Sequence, residues 1–150
     1  MYHRIASLFF VLALLAPASL LAADDPFVGS WKSSKSSNIN TYEPAGNGSL
    51  KVTVSRVTKG VPNSHSRIEI YDGKPHPIEG EDGSHGTQPT DHISVRRINS
   101  HTIEGENWFQ GKVRASFTVS VSPDGKTLTK TVKGTKNGQP YEDVRISHKQ

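Results

Sequence analysis

The chain has 150 residues, 33% of them hydrophobic, no cysteine, two tryptophans and a formal charge of +4 from 18 Lys and Arg against 14 Asp and Glu. That length suits one domain once the leader described below is set aside, and the missing cysteines exclude a disulfide framework and a cysteine-borne lipid anchor. Basic residues are spread along the chain rather than gathered on one stripe with interleaved aromatics, so they read as a solvated face, and no nucleic-acid partner is expected.

In chain order, Arg4 precedes an apolar run from Leu8 to Leu15, and small residues follow at Ala16, Ala18, Ala22 and Ala23. This is the pattern of a secretory signal peptide over residues 1–23, with cleavage expected after Ala22 or Ala23. The apolar run falls short of the ~20 residues a membrane-spanning helix needs, and no other run approaches it. Residues 24–150 are therefore expected to form one exported domain, periplasmic or extracellular, with no integral membrane segment. Without Arg4 that domain carries 17 basic and 14 acidic residues, a net of +3.

Asp24 to Lys32 reads as a short first strand in which Phe27, Gly29 and Trp31 share one face. The serine-rich stretch from Ser33 to Asn40 is a linker, and Ile39 to Glu43 resumes a strand. Pro44 to Gly48 forms a turn, and Asn47-Gly48-Ser49 within it matches a glycosylation sequon that the turn alone explains. Leu50, Val52 and Val54 then alternate with polar residues, as do Ile68 and Ile70 after the Thr58 to Ser64 turn cluster, and both sets are read as dry faces.

Lys74 to Thr90 is the least regular stretch, with three prolines, three glycines and the acidic group Glu79, Glu81 and Asp82; only His76 to Glu79 reads as a short strand there. Such a loop is usually functional or disordered. Glu79, Glu81, Asp82, His85 and Asp91 lack the fixed alternation of a calcium loop. Asp82-Gly83-Ser84-His85-Gly86 cannot form a triad, because adjacent side chains diverge. The histidines outside the leader, His65, His76, His85, His92, His101 and His148, have no compact zinc spacing, so no metal or cofactor is expected.

Ile93 and Val95 mark the next strand, and Thr102 to Phe109 another, ending in Trp108 and Phe109. That pair either covers a barrel end or forms an exposed aromatic patch. The clearest element is the hairpin from Lys112 to Lys133. Val113, Ala115, Phe117, Val119 and Val121 alternate with polar residues, Pro123-Asp124-Gly125 turns the chain, and a second strand follows. Lys130 lies between Leu128 and Val132 on the apparent dry face, either a snorkelling lysine or a cation for an anionic ligand. In the last strand, Tyr141 to His148, the apolar pair Val144 and Ile146 is read as inward and Arg145 as outward.

Every element after the leader is a strand, roughly one per dozen residues, and neighbours are joined by tight turns. The economical fold is all-β: an antiparallel up-and-down β-barrel of about eight to ten strands, with a two-sheet β-sandwich as the alternative. Phe27-Val28-Gly29-Ser30-Trp31-Lys32 resembles the G-x-W opening strand of the calycin superfamily, which includes lipocalins and fatty-acid-binding proteins. Ser122 to Thr129 and Val144-Arg145-Ile146 resemble its closing strands, and the layout is similar to that of small exported lipocalin-like proteins of bacteria. The resemblance implies that Gly29, Trp31 and Arg145 close the barrel, with Arg145 packed over the indole. It also offers Arg145 as a carboxylate group, in a segment reading Arg145-Ile146-Ser147 where fatty-acid-binding proteins have R-x-Y.

Three functions follow as expectations. The first is a monomeric container for a small apolar or amphipathic ligand, lined by Val113, Ala115, Phe117, Val119 and Val121, with Lys130 and Arg145 as charged candidates. The second is a solid-cored interaction module using the 74–90 loop and the rim. An enzyme ranks last, because no acid, base and nucleophile converge and no catalytic residue can be named.

Overall fold

The computed structural model describes residues 25–78 and 89–150. The expected signal peptide, the acidic loop residues Glu79, Glu81, Asp82 and His85, and the Asp82 to Gly86 motif lie outside them.

The described chain is all strand. In order it forms β1 (Gly29–Ser33), β2 (Ile39–Pro44), β3 (Leu50–Thr58), β4 (Val61–Glu69) and β5 (Asp72–Pro77), followed by β6 (His92–Asn99), β7 (Thr102–Phe109), β8 (Lys112–Val121), β9 (Thr127–Lys136) and β10 (Gln139–Lys149). All ten belong to one antiparallel sheet in the order β4-β3-β2-β1-β10-β9-β8-β7-β6-β5. The sandwich alternative is thereby replaced by a single curled, barrel-like up-and-down sheet. The first and last strands meet in its middle, where Trp31 lies opposite Lys149.

Tight turns set the register. Lys59-Gly60, Gln110-Gly111 and Asn137-Gly138 each place two successive residues at positive φ, between 51° and 81°. This is the backbone of a two-residue hairpin turn whose twist matches the flanking strands. Between β8 and β9, Ser122 Oγ donates to Asp124 Oδ1 at 2.5 Å and accepts from Thr127 N at 2.9 Å, which closes the expected Pro123-Asp124-Gly125 turn.

β5 spans Asp72–Pro77, earlier than the short strand expected from His76 to Glu79. It ends the sheet, and an edge strand accepts Pro75 and Pro77 because ladder donors are not required of it there. Among the described residues no strand pairing joins β4 to β5; each carries one open edge.

The core contains Phe27, Trp31, Tyr42, Leu50, Val52, Ile93, Val95, Ile103, Ala115, Phe117, Val119, Val121, Leu128 and Val132. Its floor is built by the N-terminal turn. Trp31 is fully buried and its Nε1 donates to the carbonyl of Phe27 at 2.8 Å. Phe27 is also fully buried, with its ring centroid 6.3 Å from that of Tyr42. Arg97 of β6 lies 5.3 Å from the Phe27 ring and 4.8 Å from the Tyr71 ring, and its Nη2 donates to Asp25 Oδ2 at 2.6 Å. The segment before β1 is thus pinned under the sheet by one ion pair and two ring contacts.

Three expectations about facing are corrected. On β4, Ile68 and, just beyond the strand, Ile70 are exposed while Arg67 and Glu69 are buried. The turn register explains this: Glu69 lies opposite buried Leu50 and Arg67 opposite buried Val52, so the charged pair shares their inner face. On β10, Val144 and Ile146 are exposed and Ser147 is buried, so the apolar pair points out and Arg145 shares the inner parity of Ser147. On β8, Val113 is 46% exposed. A register shift between Asn107 and Trp108 sets Asn107 opposite Ala115 but Trp108 opposite Val113, and this irregularity takes Val113 off the inner row.

Candidate functional site

The interior is not filled by the core. A cavity of about 330 Å³ opens between β2, β3 and β4 on one wall and β9 and β10 on the other. Tyr42, Val52, Val54, Leu128 and Val132 supply its apolar wall, and Asn40, Asn107 and Ser147 add polar groups. Its charged lining is mostly cationic, with Lys35, Arg56, Arg67, Lys130 and Arg145 against Asp143.

Two of these cations are neutralised locally. Arg67 and Glu69 form a buried ion pair in which Arg67 Nε donates to Glu69 Oε1 at 3.0 Å and Nη2 reaches the same oxygen. Tyr71 donates to the other carboxylate oxygen at 3.5 Å. Burial, and next the Glu69 carboxylate, push the phenols of Tyr42 and Tyr71 well above the usual tyrosine range, so both remain protonated donors. Arg145 Nε donates to Asp143 Oδ2 at 2.6 Å, on the same strand.

Lys130 differs from both. Register sets it opposite Val119 of β8 on one side and Arg145 of β10 on the other, so it points inward. Its Nζ lies 4.5 Å from the Phe117 ring centroid, and among the described residues no carboxylate pairs with it. Lys133, three residues on, does hold an acid: its Nζ is 3.2 Å from Glu142. Burial pushes the Lys130 ammonium down to about 8; Arg67 and Arg145 add to this and Glu69 opposes it. The site therefore has an electropositive centre with an apolar wall beside it.

Of the binding residues expected from the sequence, Lys130 and Arg145 are the two brought together here. Ala115, Phe117, Val119 and Val121 are buried in the core and do not line this cavity, and Val113 lies outside. The closure role moves as well. Lys149, not Arg145, covers Trp31, with its Nζ 5.2 Å from the ring, and a Cβ added to Gly29 would fall 2.9 Å from Lys149 Cε. Gly29 thus makes room for the lysine stem that caps the indole. The cation over Trp31 belongs to the last strand, but to a residue further along it than Arg145, where β10 meets β1.

Arg67, Glu69 and Tyr42 are not evident from alternation alone; the Lys59-Gly60 turn is the signal for the first two, since counting on from it places them opposite Val52 and Leu50. No protein-family model matches the sequence, and no curated protein matches it.

A larger depression, about 440 Å³, lies over Gly105 on the outer face, lined by Arg96, Glu104 and Glu106 among others. Arg96 Nη2 donates to Glu104 Oε2 at 3.0 Å, which cancels much of its charge. Trp108 also faces outward, its Nε1 donating to Ser94 Oγ at 3.1 Å, and Phe109 lies under Arg114 at 5.7 Å. Among the described residues no helix is long and apolar enough to cross a membrane.

Proposed function

We propose that this protein is an exported small-molecule carrier of the calycin type that holds an amphipathic ligand inside its sheet. The apolar part of the ligand lies against Val52, Val54, Leu128 and Val132, and its anionic head meets Lys130, with Arg145 and Arg67 beside it. The observation that carries this reading is an inward lysine with no carboxylate partner among the described residues, next to a cavity of about 330 Å³. A partly buried cation without its counter-charge is costly, and an anionic ligand would supply that charge. The volume falls at the lower end of small-molecule sites, ~300–1,000 Å³, which suits a compact ligand rather than a long lipid.

Native mass spectrometry of the protein isolated from its own host tests this reading. A co-purifying small acid, lost from a Lys130→Met variant, supports it. Repeated isolation without any ligand, and no uptake of an anionic fluorescent probe, would sink it.

A second reading, an interaction module, draws on the outer face of β4. Ile68 and Ile70 are exposed there beside an open sheet edge, and such an edge can accept a partner's strand. Concentration-dependent self-association abolished by Ile68→Lys would favour it over the container.

A further inference from the structure

The cavity holds more than a positive charge; it holds an amine in a setting that frees its lone pair. We infer that Lys130 is a nucleophile that captures a carbonyl group borne by the ligand and holds it reversibly as an imine. This rests on the cavity being a ligand site.

The geometry supplies each requirement. Lys130 lines the cavity, so its Nζ is reachable by what enters. Its amine lies 4.5 Å from the Phe117 centroid, with the ring and Val119 of β8 on one side and Arg145 of β10 on the other. The charged groups that face it are Arg67 and Glu69 from β4 and Arg145 from β10. Glu69 favours the ammonium, but it is already bonded to Arg67. Desolvation and neighbouring cations are the two conditions that make a lysine a nucleophile. With the ammonium held at about 8, close to one amine in ten is free at pH 7, against roughly one in several thousand for an ordinary lysine. Arg145 and Arg67 line the same cavity, and their guanidinium groups suit an anionic group on the same molecule.

The step balances without an oxidant or a reductant. The Nζ lone pair adds to the carbonyl carbon, forming a C–N bond, and the carbonyl oxygen takes up a proton released from the nitrogen. That oxygen then leaves as water, its C–O bond breaking as the C=N bond forms. One amine and one carbonyl give one imine and one water. The ligand class is therefore a small aldehyde or ketone that also carries a carboxylate or similar anion.

The probe is 4-carboxybenzaldehyde, offered to the exported protein at pH 8, trapped with borohydride and mapped by tryptic mass spectrometry. Lys133 is the internal reference, on the same strand but exposed and paired with Glu142. Trapping at Lys130 is expected to be at least tenfold faster than at Lys133, and the advantage is expected to shrink severalfold with benzaldehyde, which lacks the carboxylate. Uptake of anilinonaphthalene sulfonate, followed by fluorescence, is measured alongside. Probe uptake with Lys130 no faster than Lys133 would overturn this inference alone. No uptake and no fast site would overturn both this inference and the container reading beneath it.

Discussion

A lysine held inward with no carboxylate paired to it among the described residues should cost the fold stability, and the cost can be measured. Lys130 titrates at about 8 when folded, against the ordinary 10.5 when exposed. Each pKa unit corresponds to about 1.36 kcal/mol, so the ammonium opposes folding by about 3 kcal/mol at neutral pH. The pH window follows from linkage. Below pH 8 both states carry the proton and the full penalty applies. Between pH 8 and 10.5 the unfolded chain binds more protons than the folded one, so stability rises with pH. Above 10.5 the penalty is gone. Lys130→Met keeps the length and apolar stem but removes the charge, a volume-conserving change. The variant should be more stable than the wild type by ~2–3 kcal/mol at pH 7 and by much less at pH 10.5. Urea melts followed by tryptophan fluorescence, compared as differences between the two proteins at each pH, cancel the titration of other groups. A variant less stable at pH 7, or a difference that does not change with pH, would refute the assignment of Lys130 as a desolvated interior cation. A gain in stability coupled to loss of ligand uptake is the trade expected when a site is kept for function.

Other consequences follow from the same geometry. Trp31→Ala removes a fully buried indole and its bond to the Phe27 carbonyl, and should cost ~3–5 kcal/mol in a chemical denaturation series; a change within error would misplace the floor. Glu69→Gln leaves buried Arg67 without its counter-charge and should cost ~3–5 kcal/mol by the same assay. Ile146→Thr, on the outer face of β10, should stay within about 0.5 kcal/mol of the wild type, whereas a loss above about 2 kcal/mol would reverse the facing of that strand. Gly105→Ala would place a methyl 2.3 Å from Phe117 Cζ and 2.4 Å from the Ser94 carbonyl oxygen. Because one of those atoms is backbone, a loss of ~1–3 kcal/mol or more is expected, and a neutral result would show that β6 and β7 are looser than described.

The strands, their number and their up-and-down order were legible because alternation and X-Gly turns are local signals. Trp31 and its face were legible for the same reason, since Phe27 and Trp31 share parity in a short segment. Facing was harder. Alternation divides a strand into two faces, but it identifies the inner one only when the interior is apolar. Here the interior beside β4 and β10 is a charged cavity, so Ile68 with Ile70 and Val144 with Ile146 gave the wrong side. The two-residue turns carried the missing information: register counted from Lys59-Gly60 and Asn137-Gly138 places Arg67 opposite Val52 and Arg145 opposite Lys130. Lys130 itself stood out from the sequence because its flanking Leu128 and Val132 do face the core. The exchange of Lys149 for Arg145 over Trp31 had no local signal; it depends on where β10 meets β1.

The most direct test of the container is calorimetric titration of the protein with decanoate and with decanol, chains of equal length that differ in their head. If Lys130 and its neighbours receive an anion inside the sheet, decanoate binds one per chain, at least tenfold more tightly than decanol, and Lys130→Met abolishes the difference. Equal affinity for the two, or no heat from either, would contradict an anion-selective cavity.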